Sequence, residues 1–267
     1  MPVVAMSREM GSLGLEIAER VAQGRNQRVV YHETLGQQAN RMRVRRSHVV
    51  RLLDGKEGKS ERLTAERTSR ALFTPDETFR LLQEEDVGVV RGWGAVPLLR
   101  DVSHVVKVRV CAPMKMRVRR MMERLDTDDH GFVENEIMIS DQTQDAITRR
   151  HFGVDWRDAS QYDLVLNTGE LTVGECVDEI EALMESARMQ RTTESVRVFD
   201  NLSIAWHVRA ALRRDARTTT MELEVDADLG HVRLSGVLER GLKRSDAVEV
   251  AFSVPGVEKV SSTIEEA

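Results

Sequence analysis

The first residues of this chain that could do chemistry lie close together near its N-terminus. Arg8, Gly11, Ser12 and Gly14 fall within one short stretch. A glycine turn that leads into a helix directs free backbone N–H groups and the positive end of the helix dipole at the same point, so it makes an anion site. The expected guest is a phosphate group, with Arg8 as the cation of the turn and Ser12 as its hydroxyl.

This turn departs from the standard phosphate-binding loop, G-x-x-x-x-G-K-[ST], whose lysine contacts the phosphates and whose hydroxyl contacts Mg²⁺. Leu15 follows Gly14 where that lysine would stand, and the first lysine of the chain is Lys56. On spacing alone, the stretch is either a phosphate site or a turn in which glycine only bends the chain. Both interpretations stay open at this point.

Hydrophobic periodicity predicts the elements that position the turn. A buried strand is predicted over Val3-Val4-Ala5-Met6. One face of a following helix is formed by Leu15, Ala18, Val21 and Ala22. Further strands are predicted at residues 28–31, within 86–94, within 104–113 and at 162–168, and a short continuous apolar run such as 87–90 is typical of a buried parallel strand. An open α/β sheet binds its ligand at the carboxyl ends of such strands.

The turn and a later strand carry a resemblance to a known family. The stretch Ser7-Arg8-Glu9-Met10-Gly11-Ser12-Leu13-Gly14-Leu15-Glu16-Ile17-Ala18 resembles the opening of the cytidylate kinase-like family, S-R-x-F/Y-G-S-G-G-x-E-I-A. A second similar stretch is Tyr162-Asp163-Leu164-Val165-Leu166-Asn167-Thr168. The resemblance implies an α/β fold over residues 1–189, a doubly wound parallel-sheet P-loop nucleoside-monophosphate-kinase-like domain with five parallel strands. It also implies nucleotide binding, with ATP and, if the protein is active, Mg²⁺ as cofactors.

The resemblance also implies a set of site residues. The phosphate cradle would consist of Ser7, Gly11, Ser12 and Gly14. The catalytic cations would be Arg8, in place of the missing lysine, and Arg117, Arg120 and Arg124, which share one face of a helix predicted from Met114 to Leu125. The acceptor nucleotide would lie near Arg41, Arg45, Gly92, Gly94 and Asp141. Arg41 and Arg45 belong to a basic helix predicted over residues 33–53. For the arginines of this helix and of the helix from Met114 to Leu125, a solvated cationic face is the alternative, and it stays open.

Four positions are neutral where kinases of this kind usually carry a cation, namely Leu15, Trp93, Gln142 and Gln144. One such loss can lower a phosphoryl-transfer rate by about 10²–10³-fold. Whether the chain is an enzyme is therefore left open between two hypotheses. The first is ATP-dependent phosphorylation of CMP or a similar nucleoside monophosphate. The second is a catalytically inactive nucleotide- or phosphate-binding regulatory protein, and a purely structural scaffold is a third reading.

The last part of the chain predicts a separate small unit. Residues 190–197 are polar and predict a linker, after which residues 198–267 predict the order α-β-β-α-β, with Asp200 as cap of the first helix. Two stretches there resemble the BON module, Gly230-His231-Val232-Arg233-Leu234-Ser235-Gly236 and Val254-Pro255-Gly256-Val257. BON modules are non-catalytic, so this resemblance implies that residues 198–267 bind a protein or ligand partner.

Composition narrows the remaining function classes. A net charge of −5 over 267 residues argues against a nucleic-acid partner. Two cysteines in apolar segments predict reduced thiols and a cytoplasmic protein. No apolar run approaches the ~18 residues of a membrane span, and no signal-peptide pattern opens the chain. The scattered histidines and the absence of C-x-x-C predict no metal site within the protein itself.

Overall fold

The computed structural model describes residues 2–30, 75–83, 86–92 and 94–266. Two compact units divide these residues, the first holding 2–30, 86–92 and 94–191 and the second holding 75–83 and 192–266. The predictions on Arg41, Arg45 and Trp93 lie outside the described residues. Within the described ranges, no helix combines the length and the apolar character that crossing a membrane requires.

A parallel sheet forms the centre of the first unit. The strands described there are β1 (Val3–Arg8), β2 (Arg28–Val30), β3 (Val87–Arg91), β4 (Val105–Cys111) and β5 (Leu164–Asn167). Their order is β2-β3-β1-β4-β5, and every neighbouring pair is parallel. The central strands read as apolar runs because their side chains are buried, with Val4, Val89 and Val106 fully so. The predicted α/β fold with a five-stranded parallel sheet is thereby confirmed.

Helices separate and follow these strands along the chain. In chain order they are α1 (Gly14–Gly24), α2 (residues 75–82), α3 (Ala95–Leu98), α4 (Met114–Leu125), α5 (His130–Phe152) and α6 (Val173–Glu185), of which α2 belongs to the second unit. The predicted bounds of α4 are confirmed. Helix α5 begins directly after Asp129, whose side chain accepts a hydrogen bond from the N–H of Phe132 and so caps the helix.

The second unit contains a three-stranded sheet and two more helices. Its elements are α7 (Thr193–Arg214), β6 (Leu223–Asp228), β7 (His231–Leu238), α8 (Arg244–Phe252) and β8 (Lys259–Glu266). Strand β7 pairs antiparallel with β6 and parallel with β8. The predicted order α-β-β-α-β is confirmed. Asp200 is not the cap of α7, because Thr192 caps it and Asp200 lies inside the helix. The first turns of α7 thus occupy residues 193–197 of the expected linker.

Helix α2 packs within the second unit although its sequence lies in the middle of the chain. The side chain of Asp76 is 1% exposed and that of Phe79 is fully buried. The Phe79 ring lies 5.4 Å from the ring of Phe199, and Gln83 Nε2 donates to Ser203 Oγ at 3.2 Å. Local sequence patterns do not predict this pairing. The domain limits 1–189 and 198–267 stay a prediction. They place α2 in the first domain, whereas the structure groups α2 with the second unit.

We expect His104 to make the protein sensitive to acid. The His104 side chain is 3% exposed. Its pKa is lowered to about 4, mainly by burial and to a smaller extent by the charges of Arg191 and Lys107. Between pH 6.5 and 4 the unfolded chain binds a proton that the folded protein does not, so stability falls as the pH falls. The expected loss is about 1–2 kcal/mol. Urea unfolding at pH 7 and 4.5 measures it, and His104→Gln should flatten this dependence; an equal dependence in the variant would contradict the assignment.

Candidate functional site

The turn of residues 9–13 connects the end of β1 to the start of α1. Gly11 and Leu13 both have left-handed backbone conformations, with φ of +79° and +63°. A Cβ at Gly11 would lie 2.7 Å from the carbonyl oxygen of Arg117, so helix α4 packs directly against the turn and only glycine fits there. The local shape of the turn is thus set by its own glycine and by a helix more than a hundred residues away.

Side chains of α4 and of the segment after β5 hold the carbonyl groups of the turn. Three consecutive carbonyl oxygens accept hydrogen bonds, that of Met10 from Arg117 (3.5 Å), that of Gly11 from Arg120 (3.3 Å) and that of Ser12 from Thr168 (2.9 Å). In a trans peptide the N–H group points opposite to the C=O group. The N–H groups of Gly11 and Leu13 therefore point away from these donors, whereas the N–H of Ser12 donates to the carbonyl oxygen of Glu9 at 3.2 Å.

The N-terminus of α1 has no side-chain cap, because its N-cap residue is Leu13. The N–H groups of Gly14, Leu15 and Glu16 have no acceptor within the helix. The hydroxyl of Ser12 is buried beside them, with the residue 1% exposed, and its Oγ has no hydrogen-bond partner among the described residues. A buried hydroxyl beside free N–H groups is a ready contact for a bound oxyanion.

Arg8 ends β1 at this position and is partly buried. Its side-chain stem lies across α1, since a Cβ at Gly14 would come within 2.7 Å of the Arg8 Cβ. Burial, and then the charges of Arg91 and Arg124, lower the pKa of Arg8 to about 10, and the attraction of Asp141 is a smaller opposing effect. Arg8 therefore stays charged at neutral pH in a surrounding that does not favour its charge. We call Arg8, Arg91 and Arg124 the cation cluster.

The other two arginines predicted as catalytic have partners within the protein. Arg117, whose side chain is 5% exposed, donates to both oxygens of Asp141 at 3.1 and 2.8 Å and lies 3.5 Å from Glu9. Arg120 donates to the carbonyl oxygen of Thr168 at 2.7 Å and to its hydroxyl at 2.9 Å. In these contacts the two arginines shape the turn, and their role toward a phosphate stays a prediction, as does the role of Asp141 toward a substrate.

The remaining predicted site residues lie around the same strand ends. Gln144 is buried, and its Nε2 donates to Ser7 Oγ at 2.7 Å. One of the four neutral residues found where a cation is usual therefore contacts the predicted phosphate cradle directly. Gln142 is exposed. The Gly92 N–H donates to the carbonyl oxygen of Met6, which places the turn after β3 beside β1. Gly94 precedes α3, and a Cβ there would lie 2.9 Å from the Phe152 ring.

Sequence reasoning missed two residues that build the site. Glu9 accepts from Arg109 at 2.8 Å and from the Ala112 N–H at 3.2 Å, and so ties the turn to the end of β4. Thr168 bonds both Ser12 and Arg120. Glu9 is a carboxylate inside the turn, and Thr168 is a hydroxyl directly after a strand. The sequence shows both positions, but it does not indicate which residues their side chains contact.

The described residues do not fit a magnesium ion of their own. No group of three or more His, Cys, Asp or Glu side chains converges among them. Asp141, the carboxylate predicted to lie near the acceptor nucleotide, is paired with Arg117. Asp129 caps α5 and Asp126 ends α4. We derive no step through Mg²⁺.

Replacing Leu13 with glycine is expected to stabilise the protein. A left-handed conformation costs a residue with a Cβ about 1–2 kcal/mol, and glycine adopts it freely. Since glycine also loses more entropy on folding, the expected net gain in the free energy of unfolding is about 0.5–1 kcal/mol. Urea unfolding of Leu13→Gly measures it. Leu15→Gly, at the second residue of α1 and without a positive φ, is the control and should destabilise. A loss of stability in Leu13→Gly would contradict the expectation.

Comparison with known proteins gives a matching family model, a curated relative and similar solved structures. A model of the cytidylate kinase-like family matches residues 3–170. A cytidylate kinase of Staphylothermus marinus is 32% identical over 80 residues, which are 30% of this chain and 45% of that protein, so the match spans less than half the relative's length.

Among solved structures, an uncharacterized protein from Eubacterium ventriosum superposes with a TM-score of 0.52 at 20% identity, over 70% of this chain and 99% of its own, and shares the fold. A shikimate kinase from Acinetobacter baumannii in complex with shikimate has a TM-score of 0.41 at 11% identity, over 71% and 96% of the two chains.

Proposed function

The chain belongs to the cytidylate kinase-like family, and from this premise we propose that its first unit binds a nucleotide by the phosphate groups at the turn of residues 9–13. The observation that carries the proposal is Arg8. It is a partly buried cation whose strongest charged influences are two further arginines, Arg91 and Arg124. An anionic ligand at the carboxyl end of β1 would neutralise this cluster.

The turn supplies the other half of such a site. The uncapped N-terminus of α1 presents free N–H groups, and the Ser12 hydroxyl is buried without a partner among the described residues. Hydrogen bonds from charged donors contribute about 1.5–3 kcal/mol each. The helix dipole and the cation cluster therefore act on the same phosphate group, and Arg117, Arg120 and Thr168 keep the turn in the shape that directs its N–H groups toward the ligand.

For the reaction, we propose ATP-dependent phosphorylation of CMP or a similar nucleoside monophosphate, at a low rate. The cytidylate kinase relative supports the substrate class. The low rate follows from Gln144, which fills a position where a cation would stabilise the transferring group and instead donates to Ser7. The alternative is a regulatory protein that binds the nucleotide or only phosphate without turnover, and the internal pairing of Arg117 and Arg120 favours it.

Isothermal titration of the full chain with ATP, with CMP and with both, in the presence of Mg²⁺, tests the proposal. Binding of both nucleotides together with formation of ADP and CDP supports the kinase. Binding of one or both without product over hours supports the regulatory alternative. Binding of neither would overturn nucleotide binding and leave the first unit as a scaffold.

We further propose that residues 198–267 are a BON-like, non-catalytic module that binds a protein or ligand partner, and that the protein is cytoplasmic. The order α-β-β-α-β and the glycine turns at Gly230 and Gly256, both with positive φ, support the first point. Cys111 and Cys176 are both free thiols, which supports a reducing compartment.

A further inference from the structure

The second unit contains a cleft of about 740 Å³ between α2, α7 and the turn after α8. This volume is in the range of small-molecule sites. Every residue that lines the cleft belongs to the second unit. One wall is apolar, with Ile204 and Val254, and the floor carries the titratable side chains Asp76, Arg80, His207 and Arg214.

A buried carboxylate organises the cations of this floor. Asp76 is 1% exposed and its Oδ2 accepts from Arg214 and lies 3.5 Å from Arg80. Its Oδ1 lies 3.3 Å from His207 Nε2, and this ring nitrogen is buried without a hydrogen-bond partner among the described residues. Arg80 and Arg214 are about half exposed and line the cleft, and Arg80 also lies 3.5 Å from Glu77. One carboxylate therefore positions three nitrogen-bearing side chains at one end of the cleft.

We propose that this cleft binds a small molecule with an oxyanion head, a phosphate monoester or a carboxylate, joined to an apolar body. The head would lie against Arg80 and Arg214, whose planar groups match carboxylate and phosphate oxygens. The body would lie against Ile204 and Val254. This ligand is separate from the nucleotide of the first unit, and the inference does not depend on that proposal.

Charge balance links ligand binding to protonation of His207. The charged groups facing its ring are Asp76 and Arg80 from α2 and Arg214 from α7, with Asp200 at the rim of the cleft, while the turn after α8 contributes no titratable side chain. With a neutral ring, the carboxylates of Asp76, Asp200 and Glu77, which lies 3.5 Å from Arg80, outnumber the two arginines, so an anion adds uncompensated negative charge. Burial, and the charges of Arg80 and Arg214, lower the pKa of His207 against the attraction of Asp76. An anion that neutralises these arginines raises this pKa, so the ring takes up a proton when the ligand binds.

The test is titration of the full-length chain with phenyl phosphate and with benzoate in the Arg8→Met background, which removes the central cation of the first unit's turn. We expect binding, with Arg80→Gln weakening it about tenfold, the loss of one charge-assisted contact. The control is Arg244→Gln, an exposed arginine of the same unit outside the cleft, which should change affinity less than about twofold. Phenyl phosphate or benzoate as the tighter ligand assigns the head as a phosphate monoester or a carboxylate.

Proton uptake distinguishes this site from a merely basic surface. Titrations near pH 6.5 in two buffers of different ionisation enthalpy give the protons taken up per ligand. We expect a larger uptake in the parent protein than in His207→Gln, and since the ligand's own ionisation is common to both, the difference belongs to His207. Three results would overturn the proposal: no binding tighter than about 1 mM for either probe, equal weakening by Arg80→Gln and Arg244→Gln, or equal proton uptake with and without His207.

Discussion

Replacing Arg117 with methionine is expected to lower the free energy of unfolding by about 3–5 kcal/mol, the usual loss when one partner of a buried ion pair is removed. The guanidinium group is 5% exposed and bonds both oxygens of Asp141, with Glu9 at 3.5 Å. Methionine fills similar volume but leaves Asp141 buried without its cation. Urea unfolding followed by circular dichroism measures the effect.

Two variants separate loss of the ion pair from loss of the side chain. Arg119→Met removes an exposed neighbour on α4 whose contact with Glu123 is 3.9 Å long, and should change stability by less than about 0.5 kcal/mol. Adding Asp141→Asn to Arg117→Met removes the uncompensated charge and should recover part of the loss. Similar effects of Arg117→Met and Arg119→Met would show that the pair contributes little to the fold.

The local pattern of apolar residues was sufficient to predict the strand and helices that position the site. The apolar run before Ser7 and the spacing of Ala18, Val21 and Ala22 predict a strand, a turn and a helix, and the structure has them. Helix α4 was predicted at both ends. These features depend on neighbouring residues, and the information is therefore present in a short window of sequence.

The contacts that shape the turn could not be predicted because their partners are far apart in the chain. Ser12 and Thr168 are 156 positions apart, and Arg117 and Asp141 are 24 apart on two different helices. Periodicity places an arginine on a helix face but does not say whether a carboxylate faces it. The same reason explains α2, whose buried Asp76 and Phe79 find their partners on α7, more than a hundred positions later.

A missed cap explains the error at the start of α7. Thr192 and Ser195 form reciprocal hydrogen bonds at its N-terminus, and the polar residues around them were interpreted as a linker. Threonine followed by an acid in the first turn is a helix-start signal, and Thr192 with Glu194 gives it. Polarity alone was therefore a poor guide, since the exposed face of a helix start is as polar as a linker.

Replacing Arg8 with methionine is expected to weaken nucleotide or phosphate binding by about 10–100-fold, the loss of one or two charge-assisted hydrogen bonds. The same change should leave the free energy of unfolding equal or raise it by about 1 kcal/mol or more. The reason is that the largest effects on the Arg8 charge are burial and the repulsion of Arg91 and Arg124, all unfavourable in the protein without ligand. Methionine keeps the stem that packs near Gly14 and removes the charge.

A variant that weakens ligand binding without lowering the free energy of unfolding identifies a ligand-binding residue, whereas loss of a structural residue lowers the free energy of unfolding. Arg117 is the contrast, because its loss lowers stability through carboxylates that the protein itself supplies. Arg20→Met, an exposed arginine of α1 that pairs with Glu16, should change neither quantity by much and serves as the control. Titration with ATP and urea unfolding of the three variants give both numbers. If Arg8→Met loses stability as Arg117→Met does, Arg8 has a protein partner, and the turn of residues 9–13 is a structural bend rather than a phosphate site.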